Sequence, residues 1–294
     1  MRIAHITDIH VMVRPRLGQL FGKRLLGTTN LLLFGRQGHF SREVQESLSQ
    51  AVLDLDPDLL VCSGDLTAQG TPEEFKEFER MFSGLLSRQP SVLIPGNHDT
   101  YTPRSCRERR IEDTMGNWTG SGPWPRLHKA PGVQFVCIDS CRAHLLSSGQ
   151  VSSSQLERLD TLLSSNELDD GPVFVVLHYP LRGRQGDAYG PPARAIENAA
   201  EVEAVLKTHG PRITAILHGH EHHGYRTSLP YEGGEIPIFN PGASGYAWLP
   251  DHGRTAHFNL YTLEGGRVEV ERFRWSGDRK AFEPEPGGAY ASGG

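Results

Sequence analysis

Short apolar runs recur along the chain, each giving way to a polar cluster. Arg2-Ile3-Ala4-His5-Ile6-Thr7, Leu59-Leu60-Val61-Cys62, Ser91-Val92-Leu93-Ile94, Val173-Phe174-Val175-Val176-Leu177 and Ile213 to Leu217 are of this kind. A run with little or no polar alternation has no face to give to water, so these read as strands covered on both sides. Between them the apolar period lengthens. Ser41 reads as an N-cap for a helix carrying Val44, Leu48, Ala51, Val52 and Leu55, which Pro57 ends. Thr71 and Glu74 form a capping box with Pro72 at the first helical position, which predicts a helix over about 72–87. Further helices are expected over 152–164 and near 197–208, and a strand over 133–138. Strands alternating with helices imply an α/β fold with parallel pairing.

The ends of this pattern are less regular. Residues 118–125 read as loop, and Ile236–Asn240, His257–Leu263 and Val268–Trp275 as antiparallel strands. A single domain is expected over 1–275, with the Gly- and Pro-rich segment 276–294 as a mobile tail. Residues 11–40 stand out as an insertion that is basic and apolar at once. Arg14, Arg16, Lys23, Arg24 and Arg36 interleave with leucines, and Leu17, Leu20, Phe21 and Leu25 have helical spacing. Two readings stay open, a cap helix packed on the domain or a lipid-facing element making peripheral membrane contact.

Composition narrows the function classes. A net charge of -5 over 294 residues gives no global basicity, so stable nucleic-acid binding is not expected. No stretch is apolar enough to span a bilayer and no signal-peptide pattern follows Met1, so a cytoplasmic location is expected, with the inner membrane face as the peripheral alternative. Cys62, Cys106, Cys137 and Cys141 lack CxxC spacing and read as reduced packing residues. The run Arg104, Arg107, Arg109 and Arg110 reads as a solvated helix face or as a steering patch for an anion.

The polar clusters at the strand ends carry the chemistry. Asp8 and His10 follow the first strand, Asp65 the second, Gly96-Asn97-His98-Asp99 the third, His178 the strand at 173–177, and His220 and His222 the strand at 213–217. Carboxylates and imidazoles without thiolates suit borderline transition ions such as manganese, iron or zinc. One bridging carboxylate in such a set would serve two ions.

In that order, Asp8-Ile9-His10, Gly64-Asp65, Gly96-Asn97-His98-Asp99, His178 and Gly219-His220-Glu221-His222 resemble the signature of the calcineurin-like metallophosphoesterases. The resemblance implies a four-layer α/β/β/α sandwich with mixed sheets. It implies one metal at Asp8, His10, Asp65 and His222, and a second at Asp65, Asn97, His178 and His220. His98 would act on the substrate as the catalytic histidine, and Asp99 would support the ligands from behind or serve the turn. His5, His218 and His223 fall outside the set. The expected activity is hydrolysis of a small anionic phosphodiester by in-line attack of a hydroxide bridging two divalent or transition ions. Gly-Asp-Leu-Thr and Gly-Asn-His-Asp are similar to the bacterial phosphodiesterase branch, which includes class III cyclic nucleotide phosphodiesterases. The insertion, through Lys23 to Gly27 and Asn30, is similar to segments of UDP-2,3-diacylglucosamine pyrophosphatases of lipid A synthesis, the alternative reading. A non-catalytic scaffold is a third. Oligomeric state has no signal in the sequence.

Overall fold

The computed structural model describes residues 1–13, 36–100, 102–142 and 147–291. The candidate helix over Leu17 to Leu25 therefore lies outside the described residues. Among those described, twelve strands form two six-stranded mixed sheets. The first, in spatial order β12-β11-β10-β1-β2-β3, joins β1 (Arg2–Ile6), β2 (Leu59–Cys62) and β3 (Ser91–Leu93) in parallel. β10 (His257–Glu264), β11 (Arg267–Ser276) and β12 (Ala281–Pro284) extend it as antiparallel strands. The second, β4-β5-β6-β7-β9-β8, has a parallel centre of β5 (Val133–Cys137), β6 (Val173–Val176), β7 (Ala215–Leu217) and β9 (Gly234–Gly242). Its antiparallel edges are β4 (Arg126–Ala130) and β8 (His223–Tyr231).

The apolar runs divide by parity, because successive strand side chains point to opposite faces. Leu59 and Val61 of β2 meet Phe174 and Val176 of β6 in the core between the sheets. Leu60 and Cys62 face helices α1 (Arg42–Asp54), α2 (Pro72–Arg88) and α4 (Arg110–Thr119). Val173 and Val175 face α5 (Ser153–Ser164) and α6 (Ala199–Thr208). The layers run helix, sheet, sheet, helix. The expected capping box on α2 is present in both directions, with Thr71 Oγ1 accepting from Glu74 N at 3.2 Å and a Glu74 carboxylate oxygen accepting from Thr71 N at 3.0 Å. A short helix, α3 (Pro103–Arg107), precedes α4.

Three expectations change, and two strands appear that were not expected. α4 runs through Trp118 and Thr119, so the loop starts at Gly120. β9 is antiparallel to β8 but parallel to β7, so it belongs to both pairing types. β4 and β8 carry no continuous apolar run because they are edges, where one side of each strand meets water. Finally, the segment after 276 is not all tail. Residues 281–284 pair with β11, and Glu285 is buried against Arg272 at 2.9 Å. The turn Gly277 to Lys280 makes the sequence look loop-like, and the buried ion pair beyond it has no local signature.

Candidate active site

The parallel strands deliver the expected residues to one place. Asp8 and His10 leave β1, Asp65 leaves β2, Asn97 and His98 follow β3, His178 follows β6, and His220 and His222 follow β7. These are carboxyl ends of strands, where open α/β sheets place ligands. The turns are tight. Asp8, His10, Asp65 and His220 have φ of 51°, 53°, 55° and 67°, four of the eight positive-φ non-glycine residues among those described. That region costs an L-residue roughly 1–2 kcal/mol, so the surroundings must hold it. Asp8 N donates to Gly64 O, and Ile9 N and His10 N both donate to Asp65 O. A Cβ on Gly96 would stand 2.1 Å from Asp65 N and Oδ1, and one on Gly219 would stand 2.0 Å from Thr7 Oγ1. Only glycine lets these loops close on each other.

The side chains then converge. His222 Nε2 lies 3.4 Å and His10 Nε2 3.7 Å from Asp8 Oδ1. His10 Nε2 is 3.6 Å and His178 Nε2 3.5 Å from Asp65 Oδ2. Three sets have donor atoms within 4.8 Å of one another: Asp8 with His10 and His222, His10 with Asp65 and His98, and Asp8 with Asp65 and His178. His220 is in none of these sets and instead reaches Asn97 Oδ1 through Nδ1 at 2.9 Å, an oxygen that also lies 3.1 Å from His178 Nε2.

The polar groups gathered here do not satisfy one another. Asp8 Oδ1 and His220 Nε2 are buried without a hydrogen-bond partner. His10 Nε2 and His222 Nε2 face each other at 3.3 Å, where at most one proton can sit between them. His178 Nδ1 donates to the Ser63 carbonyl at 2.8 Å, which leaves Nε2 as the atom turned to Asp65, 3.5 Å from Oδ2. Buried acceptors turned toward each other are costly unless something positive lies between them. A cation fits this donor set.

Electrostatics follow from the crowding. Burial alone would raise both carboxyls, yet the histidines around them hold Asp8 and Asp65 well below the usual range. Against its own burial, His178 is drawn up to about 9, chiefly by the Asp65 charge. His98 goes the other way, down to about 4, because burial and the neighbouring His10 outweigh the pull of Asp65. Its Nδ1 donates to the Ala68 carbonyl at 2.7 Å, which fixes the ring and assigns further chemistry to Nε2.

Asp99 touches neither candidate ligand set. It accepts from Leu66 N, Thr67 N, Thr67 Oγ1 and Gly96 N, at 2.8–3.2 Å, and so staples the Gly64-Asp65 loop to its own. Burial and the Asp65 charge raise it to about 6. His5 and His218 are buried with partners elsewhere: His5 bonds Tyr261 and Ser63, and His218 bonds the Gly219 carbonyl. Within the arginine run, Arg104 and Arg110 pair with Glu108 and Arg109 with Glu112.

Three contributors carried no motif. Thr7 Oγ1 donates to Asp8 Oδ2 at 2.8 Å. Tyr246 OH lies 2.8 Å from His222 Nδ1 and orients that ring, while Phe40 packs 4.3 Å from His10 and 5.1 Å from Tyr246. The available signal for Tyr246 was the Gly242-Ala243-Ser244-Gly245 run at the end of β9. There Ser244 N donates to Thr7 O, and a Cβ on Gly245 would stand 2.1 Å from Ile9 O.

Comparison with known proteins places this geometry. The calcineurin-like phosphoesterase family profile matches residues 1–224. A probable cyclic nucleotide phosphodiesterase of Synechococcus is 23% identical over 228 residues, 76% of this chain and 74% of the relative. A 3′,5′-cyclic-nucleotide phosphodiesterase of Nostoc is 25% identical over 230 residues, 76% and 72% respectively. A cAMP/cGMP dual specificity phosphodiesterase of Mycobacterium tuberculosis is 26% identical over 247 residues, 83% and 67%. Among solved structures, a purple acid phosphatase from yellow lupin seeds superposes with a TM-score of 0.61 at 13% identity, over 96% of this chain and 52% of that one, which supports the fold.

Proposed function

Because the chain belongs to the calcineurin-like phosphoesterase family, we propose that it is a metal-dependent hydrolase of small phosphodiesters, with cyclic nucleotides the first substrates to test. The observation that carries this reading is the unsatisfied cluster of carboxylate and imidazole atoms around Asp8 and Asp65, which suits cations and little else. We assign Asp8, His10, Asp65 and His222 to one ion and Asp65, Asn97, His178 and His220 to a second, with Asp65 shared. Manganese, iron and zinc all match donors of this hardness. When bound, such ions activate water near neutral pH and neutralise phosphoryl charge.

The chain's own residues do the rest. Ser63 O orients His178, Tyr246 orients His222 and Thr7 orients Asp8, so that each presents one chosen atom. His98, held by Ala68 O, turns Nε2 to the ester. The negative charge of a bound phosphodiester favours a second proton on that ring, and Nε2 then donates to the departing alcohol oxygen. Asp99 keeps the loops of Asp65 and His98 in register while this happens. Nothing in the comparisons favours the lipid A pyrophosphatase alternative, and the segment that suggested it falls largely outside the described residues. Among the described residues, no helix is long and apolar enough to cross a membrane.

The test is hydrolysis of bis(p-nitrophenyl) phosphate against p-nitrophenyl phosphate by metal-stripped protein, with manganese, iron, zinc or magnesium restored. A diester preference returning with a transition ion is the expected result. Rapid turnover of the monoester alone would move the assignment to phosphomonoesters.

A further inference from the structure

A second cleft opens beside His222, between the inner face of β10 and β11 and the start of β8. Its volume is about 490 Å³, within the range of small-ligand sites. Arg272 and Arg274, two residues apart on β11, share one face of the strand. Arg274 stands across from His257 of β10, and Arg184 closes the cleft from the long loop after β6. Among the described residues lining it, none is acidic.

The cations differ in how far they are already spent. Arg272 is buried, bonded to Glu285 and to the Pro241 carbonyl, and so adds little net charge. Arg274 enters no ion pair among the described residues, and its Nε is buried with no hydrogen-bond partner. Its nearest acidic cross-strand neighbour, Glu283, is engaged by Arg279 at 3.0 Å. His257 Nδ1, beside it, is likewise buried with no hydrogen-bond partner, while its Nε2 lies 4.0 Å from Glu285 Oε1. The Arg274 Nε–H, buried without a partner on a half-buried side chain, calls for an acceptor. Trp248 forms the floor, fixed over Gly277, where a Cβ would stand 2.2 Å from its ring, with the Arg274 guanidinium 5.9 Å from the ring centre.

We propose that this cleft is a subsite for a second phosphate, so that the substrate is a phosphodiester whose alcohol portion carries a further phosphoryl group. This rests on the phosphodiesterase reading and narrows it. His222 lines both spaces, so the ester sits at the Asp8 and Asp65 cluster while the second phosphate reaches past His222 to Arg274, His257 and Arg184. The flat Trp248 surface supports the group that joins them.

The experiment compares the p-nitrophenyl ester of thymidine 5′-phosphate with the same ester bearing a 3′-phosphate, using manganese-loaded full-length protein. The pair differs by one phosphate and releases the same chromophore. The 3′-phosphorylated ester is expected to have a kcat/KM roughly tenfold higher, mainly through KM. Arg274→Gln and Arg184→Gln should each shrink that ratio. Arg184 is exposed, so its variant keeps the test alive if Arg274→Gln fails to fold. Equal kcat/KM for the two esters overturns the subsite and leaves the phosphodiesterase reading intact. A preference that survives both substitutions also overturns it, and hydrolysis of neither ester overturns both readings.

Discussion

Two buried clusters of charge in this molecule are built on opposite terms. At the strand ends, Asp8, Asp65 and five imidazoles crowd together with acceptors facing acceptors, and two of their atoms have no partner. At the far edge of the same first sheet, Arg272 and Glu285 close on each other. Arg272 also donates to Pro241 O, and Glu285 also accepts from Tyr290 N at 2.7 Å, with the Tyr290 ring 4.9 Å from the guanidinium. The second cluster is complete within the chain and serves to fasten it. The first is complete only with something the chain does not encode. Buried charge by itself therefore says little, and the state of its hydrogen bonds separates a fastening from a site.

The sharpest way to break this contrast is Asp65→Ala. Its carboxylate lies within reach of His10 and His178, so the variant should lose both metals and lower diesterase turnover by roughly 10³-fold or more. Metal analysis of the purified variant checks this, and two ions retained would end the assignment of Asp65 as the shared ligand.

Next in size is Glu285→Gln, which leaves a buried guanidinium without its counter-charge and should cost about 3 kcal/mol of stability. Denaturant unfolding measures the loss. Metal content should not change, and if it did, the two clusters would not be independent.

His98→Ala should keep both metals while kcat falls by ~10²-fold. Full activity in that variant would remove the ring from the reaction.

The smallest effect concerns His5, buried in the first sheet between Tyr261 and Ser63. Burial, with the nearby His218, lowers the folded ring to about 3, against 6.5 in the unfolded chain. The unfolded chain thus takes up the proton first, and the stability that His5 supports above pH 6.5 is lost as pH falls toward 3. For this one group the loss is up to about 2 kcal/mol between pH 6.5 and about 5. Unfolding curves of metal-free protein across that interval should flatten in His5→Gln. An unchanged slope would show that His5 is not the titrating group.

Much of the fold was legible because parallel strands and their helices leave strong local patterns. The continuous runs at Leu59 and Val173, and the Thr71 capping box, needed no tertiary information. The edge strands β4 and β8 escaped because half of each faces water, and β12 because its partner was the only reason for it to be a strand. The expected site residues lie together at the strand ends, since each ends a legible run. Tyr246, Phe40 and Thr7 did not show, because what they do depends on distances set by the turns around Gly245 and Gly219. Asp99 was visible as a residue but not as a staple, since its four donors come from two loops.

The left-handed backbone at Asp8, His10, Asp65 and His220 bears on how this protein could change under selection. Glycine would occupy each of those positions with less strain than the residue now there. A screen that rewards heat tolerance without demanding turnover would drift toward inert proteins at these four positions, each step easing the backbone and erasing a function. Asp8 and Asp65 would yield last, because their carboxylates also accept from Thr7 Oγ1 and His220 N and from His98 N, donors that glycine would leave unpaired.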